Sequence, residues 1–417
     1  MQNQLVSKNI ASGVTLKCVA DKKFRSNIVS VKLLIKNSGK NLAALALLPS
    51  VLSYTNANYP SSDKMNTRLN ELYGATLFSS CGQRGEMYEI SISCEYILDK
   101  YTLSEKIADD VVKILIDCIT NPALEDGAFV KEEFDIRKND LLDAIDAEIN
   151  DKTSYALSLA YPTIYNGELA SQKYYGTREE VEALTPRDVY TAYEYVLNNA
   201  LVEIFFAGGG DFESQISLFN GVFKDRPALK ISYYSPSRAK SEPIYDEKIM
   251  DVSQANMVLA FKTESNDHFA NRLMTSLYGG GYSKLFEIVR EKLSLCYFCD
   301  AGYSEVKQTM TVVSAVDFEN IDAARNEIIN QLSLLAQGDF SDEELENKKH
   351  QMAASLRASY DSISALSSWN YLCTLRGKDM TVDEYISKIS ALTRDDVINA
   401  VKSMKLDTVF VLRGGAN

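Results

Sequence analysis

Few side chains in this chain could carry chemistry. His268 and His350 are the only imidazoles among 417 residues, and neither stands in an H-x-x-H, H-E-x-x-H or H-x-x-E-H string. One helix could not present both to a zinc ion, so each reads as a surface or helix-end residue. G-x-S-x-G elbows, P-loops and dinucleotide glycine fingerprints are absent, which removes most triad and nucleotide chemistries. Cys296 and Cys299 form a C-x-x-C string. It falls in a predicted strand, where residues three apart point to opposite faces, so two unrelated thiols are expected. Gly208-Gly209-Gly210 follows a strand without the spacing of an anion loop and reads as a turn.

One stretch remains, Gly279 to Glu305, GGGYSKLFEIVREKLSLCYFCDAGYSE. Its glycines open backbone conformations closed to other residues. Ser283 can then cap a helix carrying Leu285, Ile288 and Val289, from which the chain passes into a strand. Arg290 at the helix end and Tyr297 in the strand could bring a guanidinium and a phenol to one place. Taken alone, an arginine here is more often a surface ion-pair former, and Tyr297 more often a half-buried strand residue.

The elements that would position these residues come in two copies. ALTPRDVYTA, Ala183 to Ala192, matches ALTRDDVINA, Ala391 to Ala400. Each is followed by an apolar strand running into glycines, Val202 to Gly209 and Thr408 to Gly415. Upstream, the first half shows strands at Val14–Val19 and Ile28–Ile35, a strand pair near Thr76–Ser80 and Met87–Cys94, and long helices at Tyr101–Thr120 and Gly127–Asn150. The second half repeats the plan with strands at Asp251–Lys262, Cys296–Tyr303 and Met310–Val316, and with helices at Asp267–Tyr278, Ser283–Leu293 and from Ile321 onward. Pro227, Pro236 and Pro243, three of only eight prolines, mark the segment between them as a connector. The expectation is an α+β protein of two tandem homologous domains, each a mostly antiparallel sheet covered by helices. They would span residues 1–224 and 248–417, joined by an extended linker at 225–247.

Charge and composition narrow the partners. A formal charge of −13 gives no general attraction to a phosphate backbone, so nucleic-acid binding is not expected. MQNQLVSKN lacks the layout of a leader, and the longest apolar run, Leu42 to Leu52, is interrupted by Pro49 and Ser50 and is too short for a bilayer. Seven scattered cysteines suit reduced thiols. The expectation is a cytoplasmic protein that does not enter a membrane.

The Gly279–Glu305 stretch resembles the glycine-rich R-E-K-x-x-x-x-Y segment of pitrilysin/insulinase-type metallopeptidases, and the tandem halves extend the resemblance over essentially the whole chain. In that family the first domain carries an inverted zinc motif, H-x-x-E-H, with a downstream glutamate as third ligand, and the second supplies an arginine and a tyrosine that contact bound peptide. By position these last two are Arg290 and Tyr297. LSYTNANYPSSDKMNTRLNELYGA, Leu52 to Ala75, is similar to the family's segment after the motif. Counting back puts the motif on Leu45, Ala46, Leu47, Leu48 and Pro49, with the third ligand near Ala144 in the helix Phe129–Asn150. Neither the ligands nor the glutamate base stand there, so the resemblance implies no metal, no Lewis acid and no general base in this chain. Apolar packing in the place of a metal site is expected to stiffen the first domain.

Among short-chain members of the family a zinc-bearing subunit pairs with one lacking the ligands. The resemblance thus implies a non-catalytic subunit, inactive alone, whose Arg290 and Tyr297 act in trans on a peptide or unfolded polypeptide held by a zinc-bearing paralogue. Zinc would be present only in that partner, and a homodimer could form without it. SKLFEIVREKLSLCYF is most similar to the Firmicutes paralogue associated with the aminopentanol modification of elongation factor P. Phe78 and Ser79 fall where the family's peptide-binding edge often carries an asparagine–alanine pair. Two alternatives stand beside this reading: a peptide-binding module that does not cleave, and a scaffold that only stabilises its partner.

Overall fold

The computed structural model describes residues 5–226 and 232–415. The ends and residues 227–231, with Pro227 of the expected connector, lie outside the described residues.

Period-two alternation and apolar runs produce β1 (Val6–Ala11), β2 (Val14–Ala20) and β3 (Ser26–Lys36), then β4 (Thr76–Arg84), β5 (Met87–Ile97), a short ribbon β6 (Leu124–Glu125) and β7 (Ala128–Phe129), and β8 (Leu201–Gly208). The second half contributes β9 (Ile244–Ile249), β10 (Ala255–Lys262), β11 (Phe298–Ser304), β12 (Thr309–Val316) and β13 (Lys405–Arg413). The first sheet runs β1-β2-β8-β3-β5-β4 and the second β11-β12-β10-β13-β9. All neighbours are antiparallel except β2 with β8 and β9 with β13. The internal repeat is therefore visible as topology: β2-β8-β3-β5-β4 in the first sheet answers β9-β13-β10-β12-β11 in the second.

The helices that matter for the site are α1 (Leu42–Tyr54), α2 (Ser62–Glu71), α3 (Ala108–Thr120), α4 (Lys131–Ala147), α5 (Lys152–Ile164), α6 (Arg178–Ala183), α7 (Pro186–Asn199) and α8 (Glu213–Leu218). In the second half they are α9 (His268–Tyr278), α10 (Ile321–Ala336), α11 (Asp342–Ala358), α12 (Ile363–Arg376), α13 (Val382–Ser390) and α14 (Arg394–Ser403). The matched decapeptides start α7 and α14 with the same device. Thr185 with Asp188, and Thr393 with Asp396, each satisfy one another's free backbone N–H groups in a capping box.

Residues gather into two compact units, neither continuous in sequence. One takes the described parts of Met1–Asp146, Lys173–Tyr233 and Ser359–Asp379, the other Ala147–Gln172, Tyr234–Ala358 and the described part of Met380–Asn417. In the first, Val29, Val31, Leu33 and Ile35 of β3 and Tyr88, Ile90 and Ile92 of β5 meet α1, α3 and α7 in one core. The opposite face of that sheet carries Ser30, Lys32, Glu89, Ser91 and Ser93, and Ile363 and Leu366 of α12 pack there against Val19, Ile28 and Phe205. In the second unit Met257, Leu259 and Phe261 of β10 face a core with α9 and α10, while Val258 and Ala260 on the other side pack against Ala156, Ala160 and Ile164 of α5.

Several boundaries differ from the expected ones. The helix predicted over Tyr101–Thr120 begins only at Ala108, after a turn with Ser104 at φ 72°. The last residues of the expected linker form β9, an exposed strand added in parallel to β13. Its charged sequence has no apolar alternation to announce it. The strand predicted from Cys296 begins at Phe298.

Candidate functional site

In the first unit α1 is buried along almost its whole length, only Ser50 and Tyr54 being outside the buried set. Of the positions that the motif would occupy, Leu45, Leu47 and Leu48 join the main core. Ala46 and Pro49 instead line a cavity of about 360 Å³ together with Ser79, Cys81, Arg137, Asp140 and Leu141. Pro49 has no N–H to return to the Leu45 carbonyl, an interruption of the ladder that usually bends a helix. The Ser50 hydroxyl donates to the Leu47 carbonyl at 2.8 Å beside this gap. On α4 the cavity takes Arg137, Asp140 and Leu141, whereas Ala144 lies one turn further on and is exposed.

The Arg137 guanidinium lies 4.0 Å over the Tyr54 ring and donates to Asp140 at 2.8 Å, while its Nε is buried without an acceptor among the described residues. Burial pushes the Cys81 thiol up to about 11. A proline, an alanine, a guanidinium and a protonated thiol are not zinc ligands, and one paired carboxylate does not make a site. The residues present do not fit the metal. Among the described residues, no group of three or more His, Cys, Asp or Glu side chains could hold a metal ion. His350 is exposed on α11, and His268 opens α9, stacked on Tyr234 at 5.2 Å with Nδ1 3.2 Å from the Tyr303 hydroxyl.

Phe78 and Ser79 lie on β4, the outer strand of the first sheet. Phe78 is 46% exposed, and the Ser79 hydroxyl is 3.0 Å from that of Ser53 on α1.

The second unit holds Arg290 and Tyr297. The glycine-rich turn is pinned from two sides. A Cβ on Gly279 would come 2.4 Å from that of Ala301 on β11, so only glycine allows this approach, and Gly280 sits at φ 98°. Lys348 of α11, itself buried, donates to the carbonyls of Gly281 at 3.1 Å and Tyr282 at 3.3 Å. The Ser283 hydroxyl accepts from the Phe286 N–H, as the capping reading expected, though the turn that follows is not an α-helix. Leu285–Lys292 is π-helical, and Leu293 N–H closes on the Ile288 carbonyl at 2.9 Å. Positive φ at Tyr282 (54°) and Ser294 (52°) brackets it. Wide π turns and left-handed non-glycine residues are costly and concentrate at functional places.

Leu285 and Val289 anchor this turn in the core. Arg290 points outward, its guanidinium 4.9 Å from the Phe286 ring centre and 3.5 Å from Glu291, a pair exposed enough to hold it only weakly. Tyr297 lies just before β11 with its N–H on the Ala315 carbonyl at 2.9 Å, and the residue is 57% exposed. Its hydroxyl donates to Asp317 at 3.2 and 3.3 Å, and this hydrogen bond raises its pKa. Each thus has its own partner, and Asp317 rather than Arg290 holds the phenol. Asp317 and Lys348 carry no sequence signal; only the folded contacts single them out.

The cysteine pair departs from expectation. Cys296 precedes the strand, so alternation does not separate it from Cys299, and both are buried in the second core. The Cys299 thiol donates to Cys296 and lowers its pKa, with a further contribution from Arg290, while Cys299 itself is raised.

Comparison with known proteins agrees with this picture. Residues 183–352 match the family described as the peptidase M16 inactive domain. The probable inactive metalloprotease YmfF of Bacillus subtilis (strain 168) is 24% identical over 99% of this chain and 98% of its own length. Among solved structures, a conserved protein from Enterococcus faecalis V583 shares the fold at a TM-score of 0.93, with 24% identity and 99% of both chains covered. A peptidase M16 inactive domain from Pseudomonas fluorescens does so at 0.80, with 15% identity over 100% of this chain and 99% of that one. The chain is thus similar along its whole length to a probable inactive metalloprotease, and over residues 183–352 it matches the peptidase M16 inactive domain.

Proposed function

We propose that the chain is the non-catalytic subunit of a two-subunit zinc peptidase. In this reading its Arg290 and Tyr297 engage a peptide or unfolded polypeptide at the zinc site of a paralogous partner. One contrast carries it: the motif positions of α1 are packed or apolar, while Arg290 stands exposed on a turn built at conformational cost and Tyr297 stands exposed just beyond it. Tyr297 would donate to the scissile carbonyl as negative charge develops on its oxygen, and Arg290 would hold a neighbouring peptide carbonyl. The phenol has one proton, which Asp317 accepts in the free chain. Hydrogen bonds of 3.2 and 3.3 Å are long for O–H···O, so exchanging this acceptor for a substrate oxygen costs little. Asp317 is then a positioning residue that aims the ring until substrate arrives.

Zinc belongs to the partner in this scheme, and the chain needs no cofactor. None of the seven cysteines is joined in a disulfide, which supports a reducing compartment such as the cytoplasm. Among the described residues no helix is long and apolar enough to cross a membrane. A homodimer is available when the partner is absent.

The test is reconstitution with a zinc-bearing paralogue. Tyr297→Phe should lower peptide turnover by about 10²–10³, the usual cost of one such donor, with complex formation intact. Unchanged turnover in that complex sinks the assignment and leaves the scaffold. A second reading, peptide binding without cleavage, is favoured by the exposed outer strand β4; peptide binding with no turnover in the reconstituted complex would distinguish it.

A further inference from the structure

β4 has β5 on one side and, among the described residues, no strand on the other. Such an edge offers a row of backbone N–H and C=O groups to an extended chain. Two cavities flank it, and Ser79 and Ser80 line both. The first is the α1–α4 cavity already described. The second, of about 420 Å³, lies on the opposite face, floored by β3 and β5 and roofed by α12. A peptide paired along β4 would send alternate side chains to these two faces.

The second cavity is hydroxylic and carries one excess positive charge. Ser30, Ser91 and Ser93 line it from the sheet and Ser364, Ser367 and Ser368 from α12, and among the described residues its charged lining is Lys32, Arg84 and Glu89. Glu89 is saturated: Lys32 lies at 3.0 Å, Arg84 Nε at 3.4 Å, and the Tyr371 hydroxyl donates to it at 2.5 Å. Burial would push this carboxyl up, but Lys32, Tyr371 and Arg84 together hold it below its ordinary value, so it stays an anion and is not a free acceptor. Lys32 is also spent, donating to Ser91 at 3.2 Å with its ammonium 4.2 Å over the Tyr371 ring. Arg84 is not. It touches Glu89 through Nε alone and its side chain is 52% exposed, leaving the fork of its guanidinium toward solvent. Between Ser80 and Arg84 on the same face stands Gly82, opposite Glu89, where an added Cβ would meet nothing within 4 Å.

We infer that this cavity is a subsite for the carboxylate side chain of an extended peptide paired along β4, received by the Arg84 fork and the surrounding serine hydroxyls. An anion suits a site with one uncompensated cation and many O–H donors. A lysine side chain would meet Lys32 and Arg84, with the carboxylate of Glu89 already occupied. The inference rests on the reading that this chain handles peptides, and it adds which side chain the β4 face selects.

The test uses the full chain and fluorescein-labelled heptapeptides of alternating threonine and valine, with Glu, Gln or Lys at the central position, followed by anisotropy. The Glu peptide should bind roughly tenfold or more tighter than the Gln peptide, as expected for a charge-assisted hydrogen bond, with the Lys peptide weakest. Arg84→Glu should reverse the order of Glu and Lys. Gly82→Leu, at a position with open space and extended backbone, should fold normally and remove the Glu preference by filling the subsite. Equal binding of the three peptides, no binding of any, or a Glu preference that survives both variants overturns the inference. Tyr297 plays no part in this assay, so the outcome is independent of the turnover experiment. If Tyr297→Phe has no effect in the complex while the Glu preference is found, the trans-acting role fails and the subsite stands.

Discussion

α1 and the Gly279–Tyr297 segment are the two regions on which the proposed function rests, and they are built in opposite ways. In α1, Leu47 and Leu48 are wholly buried and Leu45 nearly so, in continuity with β3, β5 and α3. Around Arg290 the backbone takes a π turn between two residues with positive φ, and the side chains it displays remain in solvent. A buried apolar helix is accounted for by its packing alone. A strained turn that holds a guanidinium in solvent, with a phenol exposed just beyond it, gains little stability from these weakly held side chains, so packing does not account for it. The pair therefore separates what the fold needs from what a ligand would need.

The largest effect should come from putting charge back into α1. Leu48→Glu places a carboxylate in a fully apolar surrounding and should cost on the order of 5 kcal/mol, or leave the chain unfolded. Urea denaturation measures the first and loss of cooperative melting the second. A Leu48→Glu chain that folds at wild-type stability would mean that α1 keeps polar access, and the contrast between the regions would collapse. Leu47→Ala follows, with an expected loss of about 2–5 kcal/mol for a buried leucine truncated in a packed core.

How far the sequence could be read follows the same division. Alternation in β3 and β5 and the matched decapeptides of α7 and α14 were enough for two similar α+β halves, because burial on one sheet face and capping chemistry are local signals. β9 was read as connector because its charged residues show no face. The segment Ser359–Asp379 belongs to the first unit although it lies far along the second half, a long-range association that no local pattern encodes. The π turn was read as an ordinary helix, since buried Leu285 and Val289 satisfy either geometry. Cys296 and Cys299 were separated on the assumption of a strand that begins two residues later. Arg290 and Tyr297 were legible only through family resemblance; their partners Glu291, Phe286 and Asp317, and both cavities beside β4, required the fold.

Of intermediate size is the support under the glycine turn. Lys348→Met keeps the stem and removes the ammonium from the Gly281 and Tyr282 carbonyls, and should cost about 1–3 kcal/mol. Hydrogen exchange should quicken at residues 281–287 and stay unchanged in α1. Equal change in both would mean that the turn is not a separately held feature.

The smallest expected effect is the sharpest on the comparison. Tyr297→Phe and Arg290→Gln each remove exposed polar contacts, with long hydrogen bonds at Tyr297 and a weak exposed ion pair at Arg290, so the urea midpoint should stay at the wild-type value in both. If urea midpoints hold while partner-dependent turnover falls, the two side chains belong to a ligand rather than to the fold. If instead either variant loses as much as Leu47→Ala, then Arg290 or Tyr297 is structural, its exposure is misleading, and the turn around it is retained for packing. That outcome would favour a subunit that supports its partner without touching the substrate. Measured on the same preparations, the ratio of the α1 effect to the Tyr297 effect is therefore the quantity that decides between a trans-acting subunit and a scaffold.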